Sequence, residues 1–486
     1  MIRGLPTSML HRLPTESERL RRRAGRAGGV FCSVVMRDRQ RTGSLAPCVT
    51  VVGAGLAGCE AAWQAARRGA RVVLYEMKPA HYSPAHRIPD FAELVCSNSL
   101  RSNAITSAVG LLKEEMRRLG SLVLSVADET AVPAGRALAV DRSAFAQQIT
   151  ERIRSHPQID VRNQLVTRVP EGDSVIVATG PLTTPALAAD LQRLVGKDSL
   201  YFYDAISPIV YADSIDHQVA FRASRYEEGE GDYLNLPLDG PGYRRFVDAL
   251  LGAKAVPLHE FESTRFFEGC LPVEEIARRG IETLAHGPMK PVGLVDPRTG
   301  RRPHAVVQLR QEDKRGVLYN LVGFQTKLRI AEQRRVFRGL PGMENAVFAR
   351  YGSVHRNTYV NAPSCLAATL ELKGRPGLYL AGQMTGVEGY VESAATGLVA
   401  GVNAAFAARG VVPPLPHEFT AHGALLRYLV DADPRNFQPM NLNFGLFPPL
   451  TGLSRRIPKR EKNRLIASRA LEAIAPYQER VAVSGP

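Results

Sequence analysis

Apolar positions follow two rhythms along this chain, and the change between them marks its parts. A β-branched run, Val49–Val52, leads into Gly53, Ala54, Gly55, Leu56, Ala57 and Gly58. An Ala-rich helical stretch continues to about Arg68, stops at Gly69, and a second apolar run from Arg71 to Tyr75 ends on Glu76. Short apolar runs around a helical period predict strand, turn, helix, strand. Leu111, Leu112, Met116 and Leu119 share one side of a helix over Ala108–Leu119. Phe145, Ile149 and Ile153 recur every four residues in Arg142–Ser155, behind Asp141 as its cap. Ser174–Gly180, SVIVATG, reads as a buried strand ending in small residues. From about Leu200 the rhythm becomes short β-type runs between Gly/Pro-rich turns: Leu200–Tyr203, Pro208–Tyr211, Thr264–Phe267, Ala305–Leu309 and Val317–Val322, with few helical periods. Helical character returns at Ala331, and Gly377–Gly382, GLYLAG, with the small-residue helix after it mirrors the opening unit.

The opening unit carries the G-x-G-x-x-G spacing in the context a dinucleotide site requires. Gly53 permits the tight turn, Gly55 lets a pyrophosphate approach the backbone, and Gly58 lets helix pack closely on strand. The helix N-terminus presents free N–H groups to phosphate. Glu76 is placed to accept hydrogen bonds from ribose hydroxyls. Two such Gly-rich units on either side of an insertion predict an α/β fold: a Rossmann-type, two-dinucleotide-binding-like FAD domain with an inserted strand-rich α+β domain. The expected boundaries are 1–45 for a disordered basic extension or a start codon placed too far upstream, 46–199 for the first part of the FAD domain, 200–330 for the insertion, and 331–486 for the second part and a helical tail.

Composition narrows the class. Apolar residues make up 45% and charged residues 22% of 486, as in an ordinary globular protein, and no apolar run reaches the ~18 residues of a membrane span. Six cysteines with no C-x-x-C pair predict neither a disulfide framework nor a zinc site, hence thiols in a reducing, cytoplasmic setting. The net charge is +15, and residues 1–45 hold ten Arg against three acids, so seven of the surplus charges lie there and eight on the rest. A body still basic after that subtraction suits a polyanion such as RNA. Arg455–Arg464, RRIPKREKNR, is either a solvated face or a phosphate contact.

Two thiols stand out by position. Cys270 precedes a helix expected to begin at Pro272, and a helix N-terminus favours a thiolate, a good nucleophile toward an electron-poor carbon such as C6 of uracil. Cys96 lies in a long polar loop, MKPAHYSPAHRIPDFAELVCSNSLRSN, just past the strand that ends on Glu76. Either could equally be a small buried packing residue.

That loop, with AVGLLKEEMRRLGSL, VPAGRALAVDR, FEGCLPVEEIARRG, LYNLVGFQTKL, RYGSVHRNTYVNAP and YLAGQMTGVEGYVESAATGLVAG, resembles the folate- and FAD-dependent tRNA (uracil-5-)-methyltransferases, the TrmFO family. The resemblance runs from about Val49 to at least Arg409. It implies that Gly53, Ala54, Gly55, Leu56, Ala57, Gly58 and Glu76 hold the adenosine and pyrophosphate of FAD, and that Gly382, Gln383, Met384 and Gly386 line the flavin. It implies that Cys270 attacks C6 of the T-loop uridine of tRNA and that Cys96, beside the isoalloxazine, removes the C5 proton. Carbon would come from 5,10-methylenetetrahydrofolate and reducing equivalents from NAD(P)H through FAD. The competing readings are a relative of the wobble-uridine-modifying flavoprotein MnmG, an FAD oxidoreductase acting on a small molecule, and an RNA-binding protein that keeps FAD only for its structure.

Overall fold

A computed structural model of the chain describes residues 47–196, 200–205, 207–225, 231–256, 271–435, 437–451 and 457–482. The expected N-terminal extension, the run Thr264–Phe267 and Cys270 lie outside the described residues. All described residues belong to one compact unit.

The dinucleotide unit forms where its apolar runs place it. Strand β1 (Cys48–Val52), helix α1 (Leu56–Arg67) and strand β2 (Arg71–Glu76) are joined by β3 (Ile159–Asn163), β4 (Val175–Val177) and β5 (Leu378–Leu380). Their sheet order is β5-β4-β1-β2-β3, and every pairing is parallel. Val52, last in β1, is flanked by Tyr75 and Val177, so the turn after β1 opens between two neighbouring strand ends, the usual ligand crevice of such sheets.

Helix α2 (Tyr390–Ala408) packs along α1 at unusually short range. A Cβ on Gly397 would lie 2.2 Å from the Ala57 carbonyl oxygen, and one on Gly401 would lie 2.4 Å from that of Ala61. Two glycines one turn apart thus accept two alanines one turn apart. Contrary to the expectation that no stretch is long and apolar enough to span a membrane, α2 is so at 19 residues, but 78% of its apolar window is buried in the protein.

The two expected amphipathic helices form as Ala108–Arg118 and Arg142–Ser155, with Leu111, Leu112, Met116, Phe145, Ile149 and Ile153 all inaccessible to solvent. Asp141 caps the second, accepting from the N–H groups of Ser143 and Ala144 at 3.1 and 3.0 Å.

The insertion holds a six-stranded antiparallel sheet, in the order Phe221–Arg222, Tyr233–Leu238, Ala305–Gln311, Leu318–Leu321, Ile209–Tyr211, Phe348–Arg350. Leu200–Ala205 pairs instead with Val354–Tyr359 in a separate antiparallel ribbon. Two features depart from the expectation. Helix Gly240–Leu251 buries Tyr243, Phe246, Val247 and Leu250, a full helical period in a region expected to show few; Gly240, Pro241 and Gly242 in its first turn disguise its start. The core of the insertion also runs past 330, because Val336, Phe337, Leu340, Met343 and Ala346 all pack into it.

Candidate active site

One open cleft runs along the C-terminal ends of the parallel strands, enclosing about 1160 Å³ of empty space with its mouth included, large enough for a dinucleotide. Gly53–Ala57, Glu76 and Lys78 line one end, Ala178–Gly180 the middle, and Gly382, Gln383, Tyr390 and Ser393 the other.

The glycines of the turn do three different things. At Gly53 φ is +97°, and a Cβ would lie 2.8 Å from the Ala178 carbonyl oxygen, so the turn and its approach to β4 both require glycine. A Cβ on Gly55 would meet nothing within 4 Å, so the backbone there is bare to the cleft. A Cβ on Gly58 would lie 1.7 Å from the Gly53 carbonyl oxygen, so the helix closes on the turn itself. Glu76 is buried, and its carboxylate accepts from the N–H groups of Ala54 at 2.7 Å and Lys78 at 3.0 Å. It therefore fixes the turn as well as facing the cleft. A bare backbone at Gly55, an acid at one end and small residues along the middle fit FAD as the occupant.

The loop holding Cys96 meets the far end of this cleft. The Tyr390 hydroxyl, at the start of α2, accepts from the backbone N–H groups of Cys96 at 2.7 Å and Ser97 at 3.3 Å. Enclosure of that hydroxyl, then the charge of Cys96, pushes its ionisation above the ordinary tyrosine range, with Arg142 opposing. Cys96 is half-buried. Arg142 bonds Glu312 at 2.6 Å; burial works against its charge, but Glu312, Tyr390 and Cys96 outweigh burial and hold it protonated. Burial, followed by Arg142, lowers the pKa of the nearby Arg350.

The residues expected from sequence separate into groups. Gly53, Ala54, Gly55, Leu56, Ala57, Glu76, Gly382 and Gln383 line the cleft. Gly58, Met384 and Gly386 do not. Gly58 is held against the turn. Met384 is 1% exposed, with its carbonyl taken by the Val360 N–H, and Gly386, at φ +89°, faces Phe437, whose ring would lie 2.4 Å from a Cβ there. The expected flavin-lining stretch is thus only its first two residues, because the turn after Gln383 folds inward. Cys270 lies outside the described residues. The helix after it is Val273–Arg278, only six residues, with Glu274 and Glu275 in its first turn, so the expected helix dipole is short and partly offset by acid. Sequence reasoning gave no role to Tyr390, Ser83, His86, Gln164 or Thr183, all of which line the cleft. Only Tyr390 left a signal, as the aromatic residue that opens the small-residue helix.

The sequence and the fold both have known counterparts. A family model described as glucose inhibited division protein A matches residues 48–411. The chain is 60% identical over 430 residues to a methylenetetrahydrofolate–tRNA-(uracil-5-)-methyltransferase TrmFO of Desulforudis audaxviator, covering 88% of this chain and 98% of that one. It is 59% identical to the protein of the same name from Geobacter sulfurreducens, covering 87% and 97%. Among solved structures, two crystal forms of Aquifex aeolicus GidA superpose with TM-scores of 0.63 and 0.65, covering 90% of this chain and 74% and 76% of theirs. At 17% identity that likeness shows the fold alone.

Proposed function

The chain belongs to the TrmFO family of methylenetetrahydrofolate–tRNA-(uracil-5-)-methyltransferases, and on that premise we propose how its cleft and thiols share the reaction. It is an FAD-dependent flavoprotein that methylates C5 of the T-loop uridine in tRNA, with 5,10-methylenetetrahydrofolate as carbon donor. The readings as a wobble-uridine flavoprotein, a small-molecule oxidoreductase or a non-catalytic RNA binder give way to this membership. FAD held in the cleft would supply, once reduced by NAD(P)H, the hydride that completes the methyl group. Gly53–Ala57 and Glu76 would seat its adenosine and pyrophosphate, and Tyr390 would close the flavin end of the cleft they line. Cys270 adds through sulfur to C6 of the uridine, which makes C5 nucleophilic toward the incoming carbon. Cys96, as thiolate, takes the C5 proton, and the resulting charge change is borne beside the guanidiniums of Arg142 and Arg350. The cytoplasm, where tRNA and a reducing milieu coincide, is the setting that keeps both thiols active.

The observation that carries this reading is the pair of bonds from the Cys96 and Ser97 N–H groups to Tyr390, since one side chain both lines the dinucleotide cleft and fixes the loop with the thiol. Cys270→Ala is expected to lose methylation and the covalent adduct with 5-fluorouridine RNA. Cys96→Ala is expected to form that adduct yet turn over at least a hundredfold more slowly. Adduct formation by the first variant, or normal turnover by the second, overturns the corresponding role.

A further inference from the structure

The inserted sheet is buried on both faces, and one of them carries a row of polar residues beside an apolar cluster of Phe221, Leu294 and Val306. Along strand Ala305–Gln311, Ala305, Val307 and Leu309 enter the apolar core of the insertion. The alternate residues Gln308 and Arg310, continued by Glu312, are 5%, 7% and 2% exposed, and so are buried although polar. Across the next strand Asn320 stands opposite Arg310 and is 3% exposed. Burying such groups is costly unless each is bonded, so the acceptors they find are informative.

Arg310 does not spend its guanidinium on a carboxylate. Its nearest acid oxygen, on Glu312, is 3.9 Å away, beyond hydrogen-bonding range. Instead Nε donates to the Asn98 side-chain oxygen at 2.9 Å and Nη2 donates to the Ser97 hydroxyl at 2.7 Å. Asn98, fully buried, uses its own amide to reach the carbonyls of Val140 and Gln311, both at 2.9 Å. The two residues directly after Cys96 are therefore held by a rigid fork from a different layer of the protein, while Tyr390 holds the backbone on the other side. Glu312 accepts from Arg142 at 2.6 Å and lies 3.9 Å from Arg310, so two guanidiniums stand near one carboxylate.

We propose that Arg310 is a positioning residue for the reaction: it ties the Cys96 loop to the inserted sheet and so sets where the thiol stands at that end of the cleft. This rests on the reading of Cys96 as the proton acceptor. Among the described residues, the charged and titratable groups coupled to Cys96 include Tyr390 from α2, Arg142 from helix Arg142–Ser155, Arg350 from strand Phe348–Arg350, and Glu312 through Arg142; Glu93, on the same loop, faces Arg350. A guanidinium fork and a point charge are not equivalent here, since an ammonium supplies the charge without the fixed pair of directions.

The test uses the full-length flavoprotein and reads three quantities: turnover at saturating tRNA, adduct formation with 5-fluorouridine RNA, and the pH midpoint for iodoacetamide alkylation of Cys96, followed by peptide mass spectrometry. For Arg310→Met the expected result is turnover at least tenfold lower, adduct and half-saturating tRNA concentration within twofold of the parent, and an alkylation midpoint moved to higher pH, because loss of a nearby cation disfavours the thiolate. Arg310→Lys should return the midpoint but not the turnover. Parent turnover in Arg310→Met, or lowered turnover with an unmoved midpoint, overturns the proposal. Arg310→Gln, a milder change that keeps a donor for Asn98, reads the same quantities if the methionine variant loses its flavin. Cys96→Ala measured alongside separates the two levels: full turnover there refutes the Cys96 role itself, whereas loss there with parent behaviour in the Arg310 variants refutes only the positioning.

Discussion

The spacing of Gly53, Gly55 and Gly58 announces a dinucleotide turn because backbone sterics alone demand glycine there, and the left-handed φ at Gly53 and the bare cleft at Gly55 follow from it. Lys113 instead reads as one more polar position on an amphipathic helix. In the structure it is fully buried, and its Nζ donates to the carbonyls of Leu100 at 3.1 Å and Arg101 at 3.0 Å. Burial first, then the charges of Arg117 and Arg101, push its pKa down to about 7. The unfolded chain titrates near ~10.4, so below pH 7 the folded state bears the full penalty of a buried ammonium, and the penalty is relieved as pH rises between those values. The stability of the parent relative to Lys113→Met should therefore increase from about pH 7 to about pH 10. Thermal unfolding of both proteins across that range measures it, and a constant difference would count against the depressed pKa.

The pairing of α1 with α2 is a matter of elements. Both helices were legible as Ala- and Gly-rich stretches after strands, but nothing in either stretch says that they touch. Their contact depends on Gly397 and Gly401 standing over Ala57 and Ala61. Even a methyl group at Gly397 must displace backbone, so Gly397→Ala is expected to cost about 2–3 kcal/mol. It should also weaken FAD retention, since α1 begins at the cofactor turn. Gly374→Ala, where a Cβ would meet nothing within 4 Å, is the matched control and should stay within about 0.5 kcal/mol of the parent. Urea unfolding and flavin content after gel filtration measure both. Helix Gly240–Leu251 makes the reverse point. Its buried period is plain once seen, yet an opening Gly-Pro-Gly hides it from propensity.

For the whole molecule, charge and layering act together. The net charge is +15, and helix Lys459–Ala473 exposes Lys459, Arg460, Lys462 and Arg464 at its start, with Arg464 engaged by Glu461 at 2.6 Å. If these face tRNA phosphates, affinity should fall steeply with salt, and changing Lys459, Arg460 and Lys462 together to Gln should reduce the slope of log affinity against log salt by about 2–3. Filter binding at several salt concentrations decides it, and an unchanged slope would assign that helix to a solvated face. Adduct formation at saturating RNA should be unaffected.

The sequence by itself determined the cofactor turn, the acid at the end of β2, the strand-rich insertion and both candidate cysteines, because each depends on local backbone sterics, short-range periodicity or residue chemistry. Tertiary structure alone decided that, of Gly382–Gly386, only Gly382 and Gln383 line the cleft, that Tyr390 holds the Cys96 loop, and that Arg310 reaches it across 212 positions of sequence. Contacts between layers depend on which faces of distant elements meet. Hydrophobic pattern tells that a face is buried, but not what lies against it.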